Sequence, residues 1–365
     1  MRTIVVSGVN LFRGGTLKIM QDCIESLSFV AGEDYQIVAL VHNSKQFKEY
    51  KNVRYISYPK SRKSWIFRLY YEYIGFKKIS KQLKPYLWFS LHDTTPNVIA
   101  EKRAVYCHNT FPFFRPRWQD LFIQPEIVAF SLFSRFFIQP NIKKNTYVVV
   151  QQEWLREAFE KMFSIDNIVV ALPIQTKEPI ELNPVQSEVL KEKIRFFYPA
   201  TPMIHKNYEV ICKAASLLER EGMANFEILL TFTGEENRYT KKIKNSYSHL
   251  NSLRFIGFLT GDEMNNMYQN CDCLLFSSKV ESWGLPISEA KELDKPVLVA
   301  DLPYAYEASG KYDKVKFFNP DDAKQLAGYM KNFIQGNIVY DEAKELAHKE
   351  PITRDWDELV RFLLT

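Results

Sequence analysis

Short apolar runs rich in Val, Ile, Tyr and Phe alternate with stretches of helical period along the whole chain. In the first half TIVVSG, YQIVALVH, VRYISYP, YLWFSLH, RAVYCHN and TYVVVQQ read as buried strands, with helices expected near 15–31, 64–84, 118–138 and 152–163. The second half repeats the plan. IRFFYPA, FEILLTFTG, LRFIGFL, CLLFSS, PVLVAD and VKFFNP alternate there with helices expected at 207–222, 236–249, 262–270, 286–294 and 322–335. Strands apolar on both faces, each followed by a helix, predict parallel sheets covered on both sides, an α/β class. The polar, triple-proline stretch PIQTKEPIELNPVQ marks a linker. The expected organisation is therefore a Rossmann-like domain over 1–172, a linker over 173–193, a second such domain over 194–345, and a C-terminal helical segment over 346–365 that packs back on the first domain. Two doubly wound domains are expected to face each other across a cleft.

Composition narrows the class. With 46% apolar and 25% charged residues the chain is an ordinary globular protein, and no run approaches the ~18 apolar residues of a membrane span. MRTIVVSGVN reads as a first strand, too short for a signal-peptide core. Five scattered cysteines, an odd number, argue against a disulfide framework and for the reducing cytoplasm. Cys271 and Cys273 flank Asp272 without a second pair at zinc spacing, so they read as small buried hydrophobes, and no metal site is expected. Charge is distributed unevenly. Residues 43–84 hold twelve Lys or Arg against Glu49 and Glu72, a local +10 in a chain of net +5. Such a block favours an anionic partner.

The densest chemistry lies in VESWGLPISEA, residues 280–290. CLLFSS supplies a strand, KVESWG a loop, and Pro286 suits a helix start because it lacks the N–H that would go unpaired there. Gly284 lets backbone approach a ligand, and helix N-termini behind parallel strands attract anions. Followed by ELDKPVLVADLP, this stretch resembles the donor-site signature of retaining glycosyltransferases of the GT-B fold, the family built on E-x7-E (glycosyltransferase family 4, glycosyl transferases group 1). Glu281 and Glu289 have that spacing, Trp283 takes the usual Phe position, and Asp294 replaces a common Gly. The resemblance extends from about 194 to 335 and includes His205-Lys206-Asn207, which matches the family's lysine loop.

The roles that follow are implied by the resemblance. Glu289 would hold the ribose hydroxyls of a nucleotide, and Glu281 would contact the transferred sugar and favour its oxocarbenium character. Lys206, beside Asn207, would neutralise the departing diphosphate. Backbone around Trp283, Gly284, Leu285 and Pro286 would hold sugar or phosphate. Gly14 and Gly15 would open the first helix toward the phosphates, and His108 would reach the donor sugar near the acceptor. His92, at a comparable strand end, is a weaker competitor, and Glu307 reads as a possible helix cap. Ala200 stands where relatives commonly carry a second phosphate-binding cation, an arginine, so either His205 or another basic residue substitutes, or the pyrophosphate is held less tightly.

The reaction expected on these grounds is metal-independent, retaining transfer of a hexose from a UDP- or GDP-linked donor to a hydroxyl of a saccharide acceptor. The nucleotide sugar is a co-substrate, and no further cofactor is expected. The setting would be O-antigen, capsule or lipopolysaccharide synthesis. Lys60, Arg62, Lys63, Trp65 and Arg68, in the basic and aromatic block, are expected to meet a lipid-linked acceptor and the anionic inner face of the cytoplasmic membrane, the protein staying cytoplasmic and peripheral. FPFFRPRW and FSLFSRFF add further aromatics and arginines. Nucleic acid is not an expected partner. Two rivals share the fold or the ligand: a nucleotide-sugar epimerase, and a nonenzymatic sugar-nucleotide-binding protein. A dinucleotide oxidoreductase is disfavoured because SGVNLFRGG lacks G-x-G-x-x-G spacing.

Overall fold

A computed structural model describes residues 1–62, 64–173, 193–342 and 346–365, without the side chains of Arg62, Trp65 and Ile66. The linker expected at 173–193 lies almost wholly outside the described residues, as does Lys63. In chain order the elements begin with β1 (Arg2–Gly8), α1 (Gly14–Ala31), β2 (Tyr35–Val41), β3 (Val53–Ser57), α2 (Trp65–Tyr70), α3 (Phe76–Leu83), β4 (Leu87–Ser90) and β5 (Lys102–Cys107). They continue with α4 (Asp120–Ile123), α5 (Pro125–Ile138), β6 (Tyr147–Val150), α6 (Glu153–Phe163) and β7 (Ile168–Ala171). After the linker come β8 (Ile194–Tyr198), α7 (Tyr208–Arg220), β9 (Phe226–Leu230), α8 (Arg238–Tyr247), β10 (Leu253–Phe255), α9 (Gly261–Asn270) and β11 (Cys273–Phe276). The chain closes with α10 (Leu285–Glu292), β12 (Val297–Ala300), α11 (Pro303–Ser309), β13 (Val315–Phe318), α12 (Ala323–Ile334), β14 (Ile352–Thr353) and α13 (Trp356–Leu364).

Two compact units result. The first comprises Met1–Asn109, Phe133–Ile174 and His348–Thr365, the second Thr110–Leu132 and Gln175–Ala347. In the first unit all pairings are parallel, in the order β14-β7-β6-β5-β4-β1-β2-β3. The second unit orders its parallel strands β10-β9-β8-β11-β12-β13. Central strands such as β1, β4 and β11 are buried on both faces, as parallel sheets require. In each sheet the order reverses once, beside β1 in the first and beside β8 in the second. Loops leaving the carboxyl ends of the two strands that flank such a reversal diverge and leave a crevice for ligands.

The C-terminal helix belongs to the first unit. Trp356 stacks on Tyr106 at 5.5 Å, the Ser26 hydroxyl donates to Asp357, and Tyr86 donates to the Leu364 carbonyl. Residues 110–132 depart from the expected boundary, for they belong to the second unit. Gln124 Oε1 accepts the Ile204 N–H at 2.9 Å, Arg117 bridges Asp120 and Glu209 at 3.2 and 3.1 Å, and Phe111 and Phe114 turn ring edges onto His205. Two helices read as continuous are also divided. The stretch 118–138 breaks into α4 and α5 before Pro125, where a proline restrains the preceding residue to extended backbone. The stretch 64–84 contains a π turn at Tyr71–Gly75, which carries Glu72 into the interior.

Candidate functional site

The second unit gathers the signature residues at its strand-order reversal. Lys206 ends a short 3-10 turn, Ile204–Lys206, between β8 and α7, and Glu281 lies in the loop between β11 and α10. Hydrogen bonds stitch the two loops together. The Lys206 carbonyl accepts the Tyr198 hydroxyl at 2.6 Å and the Ser277 hydroxyl at 2.9 Å, and the Lys279 N–H donates to the His205 carbonyl at 2.7 Å. On this frame the Lys206 ammonium donates to Glu281 Oε1, each side chain about one-sixth exposed. An ammonium has three donors and the carboxylate takes one, so two remain for other acceptors.

Gly284 precedes α10 with φ +94° and ψ +53°, a left-handed geometry that disfavours side chains. A Cβ there would also meet Ile287 Cδ1 at 3.1 Å. Pro286 is the second residue of the helix, Leu285 is half-exposed at its mouth, and Trp283 is buried, its indole N–H donating to Ser288 at 2.9 Å. Glu289, one turn into α10, accepts the Tyr268 hydroxyl from α9 at 2.5 Å. Burial pushes the Glu289 carboxyl above the ordinary glutamate range, and the Tyr268 hydrogen bond pulls it partly back. Tyr268 itself is fully buried, with its own titration driven far up by burial and then by Glu289. Glu307 lies buried in α11.

His205 is not the substitute cation for Ala200. Its ring is buried against Phe111 at 5.0 Å and Phe114 at 5.9 Å, and burial, then the charge of Lys206, hold its pKa well below the usual histidine range. It is a neutral packing residue. Asn207 is likewise turned from the crevice: buried at φ +56°, it donates its amide to the Pro320 carbonyl at 2.7 Å.

In the first unit, Gly14 and Gly15 are exposed at the start of α1, Gly14 at φ +57°, and no acidic residue occupies that first turn. His108 follows β5. Asp93, which follows β4 at φ +67°, accepts the His108 and Asn109 N–H groups at 2.7 and 2.8 Å and lies 3.7 Å from His108 Nε2. The sequence reading passed over Asp93 and Tyr268. The first was signalled by an acid placed directly after a strand in LHDTTPN; the second carries no local signal.

His92 is a structural residue. Fully buried, it sets Nδ1 3.1 Å from the Ser7 carbonyl and Nε2 2.8 Å from Glu72, a close contact lacking hydrogen-bond alignment. Glu72 also accepts from Arg68 at 2.9 Å and from Thr94 at 2.5 Å. Burial alone would raise its carboxyl, but His92, Arg68 and Thr94 together bring it down to about 2. Arg68 is thereby turned inward, away from the acceptor or membrane face expected of it, and also donates to the His92 carbonyl. Lys60 is exposed. The side chains of Arg62 and Trp65, and the whole of Lys63, fall outside the described residues.

Residues 180–350 match the family described as glycosyl transferases group 1. Over 252 residues the chain is 22% identical to the O-antigen chain mannosyltransferase RfbU of Salmonella typhimurium, covering 67% of this chain and 64% of that one. It is 28% identical over 154 residues to the serotype-specific mannosyltransferase WbdA of Escherichia coli, covering 41% of this chain and 19% of that one. The chain thus spans less than two thirds of the length of these relatives. WaaG, a glycosyltransferase involved in lipopolysaccharide biosynthesis, superposes with a TM-score of 0.63 at 12% identity, over 99% of this chain and 95% of that one. At that identity the likeness shows the fold, which is GT-B.

Proposed function

We propose that this chain, whose residues 180–350 place it with the glycosyl transferases group 1, moves a hexose from a nucleotide diphosphate sugar to a hydroxyl of a saccharide acceptor during bacterial surface polysaccharide synthesis. The observation that carries the reading is the pairing of Lys206 with Glu281 at the strand-order reversal of the second unit, with Glu289 in the helix that follows the Glu281 loop. Two mannosyltransferase relatives make mannose, as a GDP-linked donor, the first sugar to test, with UDP-linked hexoses next. Glu289 accepts the ribose hydroxyls, and Glu281 holds the sugar and favours positive charge at its anomeric carbon. Lys206 holds the diphosphate as its bond to that carbon breaks. The acceptor hydroxyl forms the new bond on the same face, its proton passing to the leaving phosphate, so configuration is retained. From the first unit, the resemblance assigns His108 to the sugar and the Gly14-Gly15 turn to phosphate. Lysine and backbone N–H groups meet the diphosphate charge, so a divalent ion is not required.

The acceptor in this reading is lipid-linked, and the chain works as a peripheral protein on the inner face of the cytoplasmic membrane. Among the described residues no helix is long and apolar enough to cross a membrane. Support comes from the first unit, where Phe67, Tyr70 and Ile74 are exposed together with Lys77, Lys78 and Lys81 of the basic block.

The test is transfer and donor hydrolysis across GDP- and UDP-sugars, with and without chelator. Lys206→Ala should lower kcat about 10²–10³-fold, by analogy with removing one oxyanion donor. Glu281→Gln should lower turnover more than donor affinity, and wild-type activity should survive chelation. Absence of turnover on every donor leaves a nonenzymatic binder as the better account. An isomerised nucleotide sugar formed without acceptor identifies an epimerase.

A further inference from the structure

Helix α5 presents an apolar stripe to solvent. Its buried positions are Val128, Ser131, Ser134 and Ile138, and its outward positions Pro125, Ala129, Leu132, Phe133 and Phe136 are apolar, with Glu126 and Arg135 the charged ones exposed beside them. An ordinary surface helix keeps its outward face polar. Leu132, Phe133 and Phe136 are 56%, 55% and 52% exposed, and the rings of Phe133 and Phe136 lie 6.4 Å apart, so they form one ridge. The chain just before α5 exposes Trp118 and Phe122, packed edge to face at 6.2 Å.

Charge indicates what covers the ridge. Arg135 lies within it, its guanidinium 4.7 Å over the Phe136 ring, and exposed Lys143 and Lys144 follow the helix. The only acid on α5 is Glu126, at its far end. We infer that α5 seats Leu132, Phe133 and Phe136 in the headgroup–acyl boundary of an anionic lipid surface, with Arg135, Lys143 and Lys144 meeting the lipid headgroups. A second copy of the chain is the poorer occupant. A two-fold interface buries the same patch on both partners, and would bring Arg135 of one copy toward that of the other without an acid between them. The inference goes beyond the electrostatic role of residues 43–84 and is separate from it. Basic residues attract reversibly, and stable peripheral attachment generally needs a second, apolar signal.

All five cysteines are buried, so one introduced at the surface can be labelled selectively. Phe133→Cys, in the otherwise intact chain, carries an environment-sensitive fluorophore; Lys51→Cys in the basic block is the comparison. Vesicles are phosphatidylglycerol with phosphatidylethanolamine, or phosphatidylcholine alone. The probe at 133 should shift to the blue on anionic vesicles and be quenched by shallow spin-labelled lipid, while the probe at 51 should stay aqueous. Leu132→Ser/Phe133→Ser/Phe136→Ser should cut partitioning on anionic vesicles about a hundredfold, from the apolar area withdrawn, with donor hydrolysis unchanged. The inference is overturned by a probe at 133 that stays aqueous on vesicles. It is overturned equally by a blue shift that follows protein concentration without lipid, which would mean self-association, or by a triple variant that partitions like wild type. Loss of donor turnover throughout, with vesicle binding intact, sinks the transferase reading and leaves this one standing.

Discussion

Removing one buried hydroxyl should make nucleotide binding more sensitive to acid. Glu289 can accept two ribose hydroxyls only when ionised, and burial already disfavours that ion. The Tyr268 hydroxyl, 2.5 Å from Oε2, is the contact that opposes this cost. Tyr268→Phe removes that donor and keeps the ring, which packs edge-on to Phe197 at 5.3 Å. A hydrogen bond to a charged group contributes about 1.5–3 kcal/mol, a factor of about 10–100 in the equilibrium between carboxylate and acid. The sign is fixed: the Glu289 pKa, already raised, rises further, so binding is lost at higher pH as the solution is acidified. Isothermal titration of GDP and UDP from pH 8 down to pH 5 checks this. Wild type and variant should agree at the alkaline end and separate by up to about ten- to a hundredfold in Kd toward the acid end. Coincident curves, or an equal weakening at every pH, would falsify the assignment of Glu289 as an ionised ribose acceptor held by Tyr268.

Two further outcomes follow from buried carboxylates of opposite character. Since burial raises the Glu289 pKa, its contribution to stability is fully present at low pH and is lost as pH rises through the folded value. Glu289→Gln should therefore raise the thermal midpoint at pH 7–8, the gain fading toward pH 4, while nucleotide binding weakens; a variant less stable at pH 8 than at pH 4, relative to wild type, contradicts this. Glu72 behaves in reverse: its pKa is lowered to about 2, so the stability it gives is present above the unfolded value and lost as pH falls toward about 2. Glu72→Gln leaves Arg68 and His92 without their carboxylate and should cost roughly 3–5 kcal/mol at neutral pH by urea unfolding. That difference should shrink in acid, and a pH-independent difference would mean that packing, not charge, is what the substitution removes.

The sequence revealed what depends on local pattern and concealed what depends on distant partners. Glu281 and Glu289 were legible because their spacing, Gly284 and Pro286 all belong to one strand–loop–helix passage. Tyr268 was not, since a buried hydroxyl twenty-one residues before Glu289 carries no periodic signature. The reading of His205 as a cation failed for the same reason. The residue can carry charge, but the two phenylalanines that exclude water from it come from about ninety residues upstream. Arg68 was expected at the acceptor or membrane face with the rest of the basic run, because nothing in the run shows the π turn that brings Glu72 beneath it. Strand β7 escaped notice although IVVA is no shorter than β4, β6 or β11; its place depends on pairing with β6 and β14.

The strap formed by residues 110–132 bears on how such chains exchange parts. A crossover at the linker would look like a clean swap of the two halves between related chains. It would in fact carry one parent's Phe111, Phe114, Arg117 and Gln124 against the other parent's Ile204–Glu209 turn. Viable hybrids should therefore be those whose parents agree at these contacts, or whose junctions keep the strap and the turn from one ancestor. The same holds for a second unit cut at the linker, which would begin life without the aromatic pair that seats His205. Inheritance in this architecture is discontinuous: what must travel together is not a contiguous half of the gene but two separated passages, and a library cut only at 174 would sample chiefly mismatched pairs.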